Sequence, residues 1–127
     1  MLKWVLIGVG GAAGSMLRYA VQGWVQRLSL GTFPFGTLAV NVLGCLVIGV
    51  LAGLFAGPLL IREEYRVGLT VGILGGFTTF STFGLESFTL ANAGEYRLAA
   101  LNGVLSYVLG FVAVWLGYRL AEHWIGA

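Results

Sequence analysis

The chain has 127 residues, of which 58% are apolar and only 9% charged, and its mean hydropathy is +0.92. That balance excludes a soluble globule and predicts one integral membrane domain over residues 1–127. Seven Lys and Arg residues against five Glu give a net charge of +2, yet the basic residues stand singly. Neither a nucleic-acid face nor a polybasic lipid-binding block follows from such spacing.

Acid chemistry is restricted in the same way. No Asp occurs and the first acidic side chain is Glu63, which argues against carboxylate dyads and metal cages. Cys45 is alone in an apolar run, so a buried, inert thiol is expected and an intrachain disulfide is impossible. His123 lies beside Glu122 near the end of the chain, where an interfacial position is expected. No nucleophile and base share a site, so an enzyme is not predicted.

Four apolar stretches reach the roughly 20 residues a helix needs to cross a bilayer: residues 4–24, 36–60, 67–90 and 98–120. Lys3 precedes the first without a small-residue cleavage site, so this stretch is read as a retained helix. It carries Arg18 at membrane depth. Its Gly8-Val9-Gly10-Gly11 run has the look of a dinucleotide fingerprint, but no acidic residue follows at the required distance. The second stretch places Thr37 and Asn41 four apart, and the fourth does the same with Asn102 and Ser106. Glycines recur at positions 49, 53 and 57, at 68, 72 and 76, and at 103, 110 and 117, each set predicting a smooth face for close helix packing.

The third stretch is unlike the others. Gly75-Gly76-Phe77-Thr78-Thr79-Phe80-Ser81-Thr82-Phe83 sets paired glycines, hydroxyls and phenylalanines inside a crossing. Non-helical backbone is tolerated there only where it is buried in protein or lines a polar cavity, so a break at the glycines predicts a permeation or binding site. If the helix resumes directly after them, Thr78, Thr82 and Glu86 form one stripe, with Phe80 and Phe83 together on a neighbouring face. Hydroxyls, amides and the positive edges of phenyl rings can replace an anion's hydration shell. The residues alone thus point to a small, strongly hydrogen-bonding anion without naming it. Helix-to-helix hydrogen bonding remains the other use of such polar stripes.

Four crossings put both termini on one side, with Lys3, Arg62, Arg66 and Arg119 there and Arg18, Arg27 and Arg97 toward the other. Because Lys/Arg bias sets orientation, so even a split predicts insertion both ways up and an antiparallel dimer.

Taken in order, Gly11-Ala12-Ala13-Gly14 with Arg18-Tyr19, then Gly36-Thr37-Leu38-Ala39-Val40-Asn41 with Gly44 and Gly49, then residues 75–83, the sequence resembles the Fluc family of bacterial fluoride channels over essentially its whole length. The resemblance implies an all-α membrane protein of four transmembrane helices with a broken third helix, assembled as an antiparallel, dual-topology homodimer in the bacterial inner membrane. It implies passive fluoride export along pores lined by Phe80, Phe83, Asn41, Ser81 and Thr82, with Thr37 and Ser106 as further members and Arg18 at the vestibule. It also implies a central structural sodium ion (Na+) held by the main-chain carbonyls of Gly75 and Thr78 from both copies. Gly84 and Asn102 depart from the commonest pattern, which bears on the outer polar track and on rate before selectivity. The alternatives are a small multidrug-type proton-coupled exporter, for which the first crossing lacks the required carboxylate, and a non-conducting membrane scaffold.

Overall fold

The computed structural model describes residues 1–126, and these form helices without any strand. Four helices are long and apolar enough to cross a membrane: α1 (Leu2–Leu28), α2 (Phe35–Ala56), a third crossing (Glu63–Asn92) and the last, α6 (Tyr96–Trp124). The third crossing runs through α3 (Glu63–Val67), a π-helical stretch (Gly68–Leu74), α4 (Gly75–Phe77) and α5 (Phe80–Asn92).

Most helices outrun the apolar stretches that predict them. Hydropathy marks only the lipid-embedded part, whereas backbone hydrogen bonding continues through Gln26, Arg27, Glu63 and Tyr96. The second is the exception, ending at Ala56 instead of reaching residue 60. Gly57 turns extended there, at φ −86° and ψ −168°, and Pro58 has no N–H with which to continue the helix.

Polar contacts pin both ends of the bundle. Lys3 Nζ lies 3.1 Å from Glu63 Oε1, setting the start of α1 beside the start of the third crossing. At the far end Thr32 Oγ1 donates to Glu95 Oε2 at 2.7 Å, tying the first connection to the last. Gln26 orders the α1–α2 connection by donating to the Phe33 carbonyl at 3.0 Å and accepting from the Gly36 N–H at 2.9 Å. That last bond satisfies one of the free donors in the first turn of α2.

Between the ends, small residues bring backbones together. A Cβ at Gly76 would stand 2.6 Å from the Gly11 carbonyl oxygen, and one at Gly10 would stand 2.9 Å from that of Gly68. On the other side of the bundle Gly49 and Gly53 meet Val114, Tyr118 and Ala121 of α6, while Gly117 sits on Leu46 and Val50 of α2. Lipid is as apolar as Leu, so such close approach is what associates helices in a membrane. Gly103 does not share this role, because nothing among the described residues lies within 4 Å of its would-be Cβ. It borders an open cleft instead.

Candidate functional site

Helical backbone stops at Phe77 and restarts at Phe80. Thr78 (φ −90°, ψ 159°) and Thr79 (φ −151°, ψ 122°) are both extended. The non-helical residues are therefore the two threonines and not the preceding glycines, which are helical in α4. Of the pair, Gly76 is used for packing, lying against Gly11 and Ser15 of α1.

Several polar groups around the threonines have identifiable partners. Asn41, half-buried on α2, donates from Nδ2 to the Thr79 carbonyl at 2.9 Å and accepts the Thr79 N–H on Oδ1 at 2.8 Å. Both ends of its carboxamide are thus engaged with the backbone of one residue, leaving a single Nδ2 hydrogen. Thr79 Oγ1 accepts the Thr82 N–H at 3.2 Å and so caps α5, a role that suits Thr at an N-cap. Ser81 Oγ is 3.5 Å from the same hydroxyl. Thr78 turns its hydroxyl back onto the Leu74 carbonyl at 2.9 Å, where its own N–H also donates at 2.9 Å. Arg18 Nε reaches across from α1 to the Gly76 carbonyl at 2.9 Å.

Phe80 and Phe83 come together on the first turn of α5, with ring centroids 5.6 Å apart and planes at 40°. Phe80 is 83% exposed in a single copy. The pair borders a laterally open cleft of 540 Å³ with Asn41, Thr78, Thr79 and Ser106. The Ser106 hydroxyl is buried and has no partner among the described residues. Cys45 also borders the cleft and is half-buried, so the fully buried thiol expected from the sequence is not found. The first turn of α5 adds backbone N–H groups and the positive end of a 13-residue helix, the standard device for holding negative charge.

Thr82 and Glu86 share one face of α5, but Thr78 precedes the helix and leaves the predicted three-residue stripe. Thr37 is 2% exposed and lies away from the cleft, accepting a bond from Gln22 Nε2 at 2.9 Å. Glu86, with one buried carboxylate oxygen that has no partner among the described residues, borders a second cleft of 310 Å³ with Gln26, Thr32, Thr89 and Glu95. Gln22 and Gln26 were missed as candidates. Their four-residue spacing on α1 is the same signal that marked Thr37 with Asn41.

Asn102 is not poised to donate to an ion. It is 1% exposed and its Nδ2 donates to Ser87 Oγ at 3.0 Å, joining α6 to α5. Asn102→Ala leaves the Ser87 hydroxyl without that donor. It is expected to destabilise the protein by about 1–2 kcal/mol, read as a lower midpoint in thermal unfolding followed by tryptophan fluorescence.

A bundle of four crossings, with Asn41, Arg18 and Ser106 gathered about the third of them, is the architecture of an integral membrane protein and suits the channel or transporter class. The chain belongs to the family described as CrcB-like protein, Camphor Resistance (CrcB), whose sequence profile matches residues 5–118. It is 44% identical over 123 residues to a protein of Geobacter metallireducens named fluoride-specific ion channel FluC, covering 97% of this chain and 99% of that one. Proteins of the same name from Methylobacillus flagellatus (46% identical, 96% of each chain) and Parabacteroides distasonis (44%, 97% of this chain and 95% of that one) are similar over comparable lengths.

Proposed function

We infer that this protein is a fluoride-specific ion channel of the bacterial inner membrane that lets fluoride leave the cytoplasm passively. The observation that carries the reading is its likeness, over nearly the full length, to relatives named for that activity. The chemistry at residues 78–83 supports it. Fluoride must exchange its hydration shell for donors that release it again, since conduction requires binding weak enough to leave. The edges of Phe80 and Phe83, the N–H groups of the first turn of α5 and the free Ser106 hydroxyl supply donors without a fixed cation. Ser81 and Thr82 extend these donors along α5, and Arg18, tied to Gly76, draws anions toward the break. Asn41 serves by holding Thr79, with one N–H to spare. Hydrogen fluoride enters neutral and dissociates inside, so a passive path and a negative-inside potential suffice for expulsion.

The working unit is a dual-topology, antiparallel homodimer. Support comes from the even Lys/Arg split and from the cleft beside Phe80, which one copy leaves open. The break at Thr78-Thr79 belongs to the working channel. A structural sodium ion at the centre fits the residues present. The Thr79 N–H, which would close a helical turn onto the Gly75 carbonyl, is given to Asn41, and Gly75 and Thr78 both border the cleft. Their main-chain carbonyls would hold the ion, oxygen donors being what a hard cation prefers. Its charge would hold the two breaks together.

Purified protein in liposomes tests the function directly. A fluoride electrode is expected to record rapid efflux driven by a potassium diffusion potential without a proton gradient, while a matched chloride experiment shows none. Absence of fluoride flux from monodisperse protein would remove the channel reading and turn attention to Glu86 as the carboxylate of a proton-coupled exporter.

A further inference from the structure

We propose that Asn41 is the residue that keeps the Gly75 carbonyl oxygen available to a cation, by taking from the helix the one N–H that would otherwise bond it. The proposal rests on the sodium reading above and extends it to a residue outside the donor set, acting as a positioning residue through Thr79.

The last turn before the break decides where each carbonyl goes. Leu74 receives two donors, the N–H and the hydroxyl of Thr78. Gly76 receives Arg18 Nε. In a continuing α-helix the Thr79 N–H would donate to Gly75, four residues back, but it is bound to Asn41 Oδ1 at 2.8 Å. Among the described residues, none of the hydrogen bonds made by the break and its neighbours ends on Gly75, so of these three consecutive carbonyls it alone is without a donor there.

The alternative state is physically accessible. Without an acceptor at position 41, the Thr79 N–H stands at membrane depth with no partner, which is strongly unfavourable. Gly75 is the acceptor that helix geometry provides, reached by folding Thr78 and Thr79 into one more helical turn. That turn would consume the Gly75 oxygen. Asn41 prevents it by offering Thr79 both an acceptor and a donor, as a neighbouring strand would, so Thr79 itself loses no hydrogen bond while the Gly75 oxygen is left open. The second contact, from Nδ2 to the Thr79 carbonyl at 2.9 Å, fixes the side chain in place; the first sets the state of Gly75.

The sequence offers a clean probe. Gly10-Gly11 and Gly75-Gly76 are the only adjacent glycine pairs, so full-length protein labelled with carbonyl-¹³C, ¹⁵N-glycine gives two carbonyl–nitrogen correlations in NMR spectra. Gly10 lies in the seam against Gly68 and reports whether each variant is folded. In the wild type, replacing N-methyl-glucamine chloride by sodium chloride is expected to move the Gly75 carbonyl signal and leave that of Gly10 still. Asn41→Leu, similar in volume but without an acceptor, is expected to show the Gly75 signal at a hydrogen-bonded position, with apparent sodium affinity at least about tenfold weaker. Asn41→Asp keeps the acceptor and is expected to keep the sodium response, while fluoride efflux falls because a negative charge now stands beside the path. That split between readouts is not what general loss of structure produces. A wild-type-like sodium response in Asn41→Leu, or its loss in Asn41→Asp, overturns the proposal and leaves the cation reading intact. A wild type whose Gly75 signal ignores sodium removes the cation reading and the proposal with it. Should Asn41→Leu lose the Gly10 signal, Asn41→Asp decides alone, retention supporting the proposal and loss overturning it.

Discussion

Phe80→Ile and Phe83→Ile are each expected to cut fluoride efflux from liposomes by about 100-fold or more while leaving the protein folded and monodisperse. Isoleucine is apolar and fits much of the same space, so packing changes little. What it lacks is the quadrupole that gives a phenyl ring a positive edge. An ion that has shed water needs every donor it meets. If fluoride passes the rings, losing one ring edge raises the barrier by about 3 kcal/mol, and each 1.4 kcal/mol or so is a factor of ten in rate. The two rings sit 5.6 Å apart, so neither can take over the other's place. Electrode traces of the two variants beside the wild type decide the matter. Wild-type rates in both would mean that the rings only pack and that fluoride passes elsewhere.

A comparably large effect, on stability this time, is expected from Gly117→Ala. The added Cβ would run into the Leu46 carbonyl oxygen, with the Val50 nitrogen 2.8 Å away and the Gly49 carbonyl carbon 3.2 Å away. These are backbone atoms and cannot rotate aside. The helices α2 and α6 must separate, giving up close contacts along their whole seam, and overpacking of this kind costs about 3 kcal/mol. Thermal unfolding in detergent should show a clearly lowered midpoint, with loss of the monodisperse peak in size exclusion. Gly8→Ala is the control, because nothing among the described residues lies within 4 Å of a Cβ there. Alanine's better helix propensity makes it neutral or slightly stabilising. Equal behaviour of the two variants would show that the α2–α6 seam is looser than its geometry implies.

The four crossings were legible because hydropathy and bilayer thickness act on the same length scale. The ends were less so, since Gln26, Glu63 and Tyr96 extend helices by hydrogen bonding that hydropathy does not register, and Pro58 stops α2 early. The pairing of Phe80 with Phe83 could be read from their three-residue spacing once a helix was assumed. Where that helix begins could not. Paired glycines are the obvious weak point in a helix, yet here both are helical, Gly76 admits the α1 backbone, and the extended residues are the β-branched Thr78 and Thr79. Thr79 is bonded on both its N–H and its carbonyl by Asn41, a residue 38 positions away, and no local propensity records a partner so distant. The same limit applies to Asn102. Its spacing from Ser106 suggested a polar stripe, whereas its donor is used on Ser87 of another helix.

The Leu74–Thr79 segment does its work with main-chain atoms, and this determines what genetics can see there. Thr78 spends its hydroxyl on its own preceding turn, and Gly75 has no side chain at all. Alanine scanning, which edits side chains and leaves every carbonyl in place, would score such positions as tolerant or report only their packing. This segment would look dispensable in a mutational map even where its main-chain atoms are essential. Amide-to-ester replacement, which weakens one carbonyl as an acceptor and deletes one N–H without touching a side chain, is the form of substitution that reaches it.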